Sequence, residues 1–145
     1  MQLPPLYGVA RALGIKVSHR PSTGLVLGYF SPSDNSIRLS SEDAVVYFHE
    51  LAHAVHHSFV DLKTVDLARR EVVAELSACI LCTLEGIKGY ERQGYEYIGH
   101  YCQDKSPDSV LRFIFSVLNE VEHVVLYILT AADKLQQPDY PAQSA

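Results

Sequence analysis

Cysteine is scarce in this chain and irregularly placed: Cys79, Cys82 and Cys102 among 145 residues. That excludes a disulfide framework and gives a reducing, cytoplasmic compartment as the expectation. Basic residues are also in deficit, with 12 Lys and Arg against 17 Asp and Glu, a formal net charge of −5. Domains that grip a phosphate backbone are usually basic, so nucleic acid is not an expected partner. No apolar run approaches the length that spans a bilayer, so no membrane association is expected. Met1-Gln2-Leu3-Pro4-Pro5 lacks the basic-then-apolar order of a secretory leader. There is no internal repeat and no low-complexity segment.

What is present is an ordinary globular balance, 48% hydrophobic and 20% charged. It predicts one domain over residues 1–135 with a real core, followed by a disordered tail at 136–145. Proline before and glycine after Leu6 to Leu13 mark a short helix. Ile15 to Ser18 reads as a short strand. Leu25 to Phe30 and Ser36 to Leu39 are β-prone runs around the turn residues Ser31 to Asn35, which predicts a hairpin. Ser40 or Ser41 then caps a helix from about Glu42 to Ser58, with Glu42 and Asp43 in its first turn. Further helices are expected from Val65 or Asp66 to near Gly86, from Tyr90 to Cys102, and from Pro107 to Leu135.

Inside the first long helix lies His49-Glu50-Leu51-Ala52-His53. Each helical residue turns about 100°, so positions four apart sit about 40° from each other on one face. Two imidazoles there can reach one metal ion, with Glu50 placed to hold its water. The flanking Tyr47, Phe48, Leu51, Ala52 and Val55 are apolar, which favours burial over a pair of solvated surface histidines. A hydrolytic zinc site takes three protein ligands and keeps one position open. The third is not a metzincin histidine, because that position is Phe59 and the accompanying glycine position is His56. The next helix carries Glu71-Val72-Val73-Ala74-Glu75, two carboxylates on one face. If Phe59 to Thr64 turns the chain, one of them can ligate while the other orients a histidine.

From Gly28 to Leu129 the chain resembles the zincin-like domain of the ArdC-type antirestriction proteins, and is more distantly similar to the ImmA/IrrE metallopeptidase group. The resemblance rests on Gly28-Tyr29-Phe30, Asn35 to Leu39, Phe48 to Ala54, Glu71 to Leu76, Leu84 to Ile87 and Leu126 to Leu129. It implies an α+β zincin-like fold: a small sheet or hairpin on the His-Glu helix, a Glu-bearing second helix and a long C-terminal helix. It also implies Zn2+ held by His49, His53 and a glutamate, Glu75 as first choice and Glu71 as second, with Glu50 as general base. The single-stranded-DNA-binding domain of ArdC-like proteins has no counterpart in these residues, so neither DNA binding nor antirestriction activity carries over.

The expected activity is hydrolysis of a peptide bond in a peptide or protein substrate through a metal-activated water. A Tyr or His must then stabilise the oxyanion, and His123, Tyr127, His100 and Tyr97 are the candidates. Other readings are a catalytically silent zinc-binding interaction module and a plasmid or phage antirestriction-related factor. Several features carry a plainer reading. Cys79-x-x-Cys82 reads as two buried small residues, Arg69-Arg70-Glu71 as an exposed helix start, and His56 and His57 as helix-end residues.

Overall fold

Three short strands alternate in burial, and that alternation sets which way the sheet faces. In the computed structural model, which describes residues 3–21, 24 and 26–136, β1 (Lys16–His19), β2 (Gly28–Ser31) and β3 (Ser36–Leu39) form one sheet in the order β1-β3-β2. β2 and β3 make the expected antiparallel hairpin, with Phe30 opposite Ile37 and Tyr29 opposite Arg38. Successive side chains point to opposite faces of a strand, so Phe30, Ile37 and Leu39 enter the core while Tyr29 and Arg38 stay outside. Asn35 closes the turn at φ 53°, a left-handed conformation that asparagine tolerates better than most residues. β1 runs parallel to β3, a pairing for which a four-residue strand carries no sequence signal.

The helices are α1 (Tyr7–Ala12), α2 (Ala44–Phe59), α3 (Leu67–Leu84), α4 (Glu91–His100) and α5 (Pro107–Gln136). α2 starts slightly later than the sequence predicts. Ser41 Oγ accepts the Asp43 N–H at 3.1 Å, which spends the serine on the turn before the helix. Asp43 becomes the N-cap, and neither it nor Glu42 lies in the first turn. The tail expected to be disordered lies outside the described residues except for Gln136, which ends α5.

α2 is the axis of the fold, packed against β2, β3, α3 and α5. Tyr47, Phe48, Leu51 and Val55 of α2 meet Val72, Val73 and Leu81 of α3 and Val117, Val121, Val124 and Ile128 of α5 in one core. Burying each such side chain is worth roughly 1.5–3 kcal/mol, so the backbone that carries His49 and His53 is held firmly. Between α2 and α3 the chain turns through a single 3-10 turn at Leu62–Thr64, where the Asp61 carboxylate accepts the Lys63 N–H. His49 contacts Glu75 and His53 contacts Glu71, so the two helices run antiparallel.

α5 departs from one expectation. Over 18 residues its mean hydropathy is 1.5, so by length and composition alone it is long and apolar enough to cross a membrane. Arg112, Glu120 and Glu122 break its apolar residues into shorter runs. In the fold α5 lies along α1, α2 and α3 and buries Val110, Val117, Val121, Val124, Ile128 and Ala132.

Candidate metal centre

Helical spacing puts His49 and His53 on one face of α2, and their rings stand 4.8 Å apart, nearly perpendicular. His49, Glu50 and His53 offer ligand atoms that all lie within 4.8 Å of one another. α3 brings its carboxylates to the same place. Glu71 Oε2 lies 3.1 Å from His49 Nε2, and Glu71 Oε1 lies 3.3 Å from His53 Nε2. The Nε2 atoms of both histidines therefore converge on one carboxylate. Glu75 stands on the other side of the His49 ring, with Oε2 2.8 Å from Nδ1. The far nitrogen of His53, Nδ1, is buried and bonds to no other described residue.

The electrostatics follow from burial and these contacts. Burial alone would lower the His49 pKa, but the hydrogen bonds to Glu71 and Glu75 outweigh it and raise it to about 10. Burial alone would raise Glu71, yet its bonds with His49 and His53 hold it well below the ordinary carboxylate range. Glu50 is pushed up by burial, against the pull of His49 and His53. With two imidazoles and a carboxylate, the group is a donor set of the kind that holds a divalent metal ion.

The sheet frames the other side of Glu50. The backbone of Phe30 works against the rise that burial gives the Glu50 carboxylate. Gly28 passes so close that an added Cβ would stand 2.7 Å from Val46 Cγ1 and 3.1 Å from Glu50 Cγ. A glycine inside a strand pattern signals such a close approach. That was the available sign that β2 and Glu50 touch. Opposite, the Tyr97 hydroxyl donates to Glu71 Oε2 at 3.0 Å, and its ring stacks edge-on against His49. Burial raises the Tyr97 pKa strongly, with Tyr101 and Glu71 adding to the effect, so the phenol keeps its proton. α4 approaches α3 closely enough for this contact because Gly94 leaves room for Cys79.

These residues line a cleft of about 610 Å³ together with Leu27, Tyr29, Lys63, Arg70 and Tyr101. Of the residues singled out from the sequence, His49, Glu50, His53, Glu71, Glu75 and Tyr97 meet here. His123 and Tyr127 do not. They lie on α5 against Phe59, with the His123 ring stacked at 3.8 Å, and they line a separate cleft with Leu13 and Lys134. His100 packs edge-on against Tyr101. Cys79 and Cys82 lie on α3, and burial pushes their thiols up to about 12 and about 11, which leaves them unreactive at neutral pH. His57 is used locally, its Nδ1 accepting the Leu62 N–H. Arg69 is not a free helix-start residue: it pairs with both carboxylate oxygens of Glu120 at 2.7 and 2.8 Å.

No protein-family model matches the chain, and no curated protein matches it. Among solved structures, the crystal structure of the antirestriction protein ArdC from the R388 plasmid, in its Mn(II)-bound form, is similar with a TM-score of 0.52 and 22% identity. The match covers 90% of this chain and 53% of that one, so the chain spans about half the length of ArdC. At this identity the likeness is one of fold: an α+β domain with a small mixed sheet and a long last helix.

Proposed function

We propose that the chain is a zinc-dependent peptidase that hydrolyses a peptide bond in a protein substrate. The observation that carries this reading is the convergence of His49 Nε2 and His53 Nε2 on the Glu71 carboxylate, with Glu50 beside them. His49, His53 and Glu71 would hold the ion, and Glu75 would orient His49 through Nδ1, as carboxylates behind metal-bound imidazoles do. This ranks Glu71 ahead of Glu75 as third ligand, because Glu75 faces the nitrogen that points away from His53. A zinc ion, when bound, supplies Lewis-acid polarisation of the scissile carbonyl and acidifies water. Glu50 takes the proton of the attacking water and returns it to the leaving amine as the carbon–nitrogen bond breaks. Tyr97 is the oxyanion donor best supported by position. A substrate strand would add to β2, which is an edge of the sheet and lines the cleft.

The test is Glu50→Gln. Zinc content, measured by elemental analysis, stays at the wild-type value while turnover falls about 10²- to 10⁴-fold. Unchanged turnover removes Glu50 from the chemistry. The fold likeness to ArdC supports a second reading, a plasmid or phage antirestriction-related factor. Protection of incoming DNA in cells that carry a restriction enzyme tests it, and no protection sinks it.

A further inference from the structure

The cleft is polarised along α2, and this has consequences for what enters it. The register His49–Glu75 and His53–Glu71 gives the order. Val45, Val46, Leu27 and Gly28 lie at the end where α2 begins. Lys63 and Arg70 lie past His53, where α2 gives way to the turn and α3 begins. One end is therefore apolar and the other cationic, with the carboxylates of Glu50, Glu71 and Glu75 between. In a chain of net charge −5, this pair of cations is out of keeping with the surface at large.

Neither cation is paired with a carboxylate side chain among the described residues. Arg69 forms a bidentate pair with Glu120, but Arg70 makes no ion pair among the described residues. Its Nη1 donates to the Leu62 carbonyl at 3.1 Å, which fixes the half-buried guanidinium and leaves its other donors open. Lys63 makes no side-chain ion pair among the described residues and is exposed. Its helical turn is pinned by the Asp61 carboxylate on its own N–H. A guanidinium held in position with spare donors, lining the same cleft as Lys63, is a receptor for an anionic group.

We propose that Lys63 and Arg70 form a specificity pocket that selects a substrate with a carboxylate side chain next to the bond to be cut. The inference rests on the peptidase reading and adds the substrate class. Two cations at one end of the cleft suit a single carboxylate. A nucleic-acid backbone would call for a continuous basic track.

The test uses zinc-loaded protein and two dipeptide hydroxamates that differ only by Glu or Gln beside the zinc-binding group, with affinities from calorimetry. The Glu compound binds about tenfold more tightly, and added salt reduces that preference. In the Lys63→Gln, Arg70→Gln double variant the preference falls toward one, while zinc content and affinity for the Gln compound hold. Should that variant fold poorly, Lys63→Gln alone must lower the preference, since the lysine ammonium makes no ion pair among the described residues. Equal binding of both compounds overturns the pocket and leaves the metal site standing. Binding of neither compound overturns the metal site and the pocket together. Displacement of both compounds by a single-stranded oligonucleotide through the same two residues, with no Glu preference, overturns the proposal in favour of phosphate.

Discussion

Two regions of this molecule bring histidine to an aromatic or acidic neighbour around α2, and they differ in kind. Around His49 and His53 the partners are carboxylates, in contacts of 2.8 to 3.3 Å, inside a cleft closed by β2 and α4. Around His123 the partner is the face of Phe59, with Tyr127 at its edge, on exposed residues of α5. Both carry side chains that catalysis uses. Only the first has donors converging on a point, where the contact between His49 and Glu71 raises the one and lowers the other. The residue type is therefore a weak guide to a site, and the partners on the next helix are a strong one.

The largest expected difference between the two regions is in metal content. His53→Ala should lose bound zinc almost completely after desalting, and His123→Ala should keep it. Equal losses would erase the distinction. Next comes Gly28→Ala, where the new methyl meets Val46 and the Glu50 side chain. A misplaced reacting group costs on the order of a hundredfold, so kcat should fall by about that factor with zinc retained. Undiminished kcat would show that β2 does not position Glu50. Glu75→Gln should weaken zinc affinity about 10- to 100-fold, the usual effect of removing a partner behind a ligand. Glu71→Gln should weaken it more, and the reverse order would make Glu75 the ligand.

Acidity sharpens the comparison further. In the metal-free protein His49 carries its proton up to about pH 10, so an entering metal ion must expel it. Affinity should rise with pH, and calorimetry in buffers of different ionisation heat should report about one proton released near neutrality. The same raised value gives the metal-free fold a contribution that is complete below about 6.5 and lost as pH climbs through about 10. The metal-free form should lose melting temperature toward alkaline pH, more than the loaded form does. The smallest effect is stability at the other region: His123→Ala should cost about 0.5–1 kcal/mol, the worth of one exposed ring stack.

Much of this was legible because it is local. The spacing of His49 and His53, the carboxylates at Glu71 and Glu75, and the hairpin on Asn35 all follow from helix and turn periodicity. The roles of the two glutamates were not. They depend on how far α3 is offset along α2, which the turn at Leu62–Thr64 sets. His123 and Tyr127 illustrate the same limit. Their helix was predicted well, but no periodicity says which side of α2 it covers. Tyr97 could be placed only once Gly94 had let α4 settle against α3.

The close approach of Gly28 ties the acid–base residue to strand register. Side chains of a strand alternate between its faces, so a slip of one residue exchanges them all. Deleting one residue between Ser31 and Asn35 would shift β2 by a single step, turn Phe30 away from the core and set Leu27 where Gly28 now passes Glu50. A leucine side chain has no room there, and the carboxylate would be pushed from its place. The length of a surface turn thereby governs whether this carboxylate stands where a base is needed.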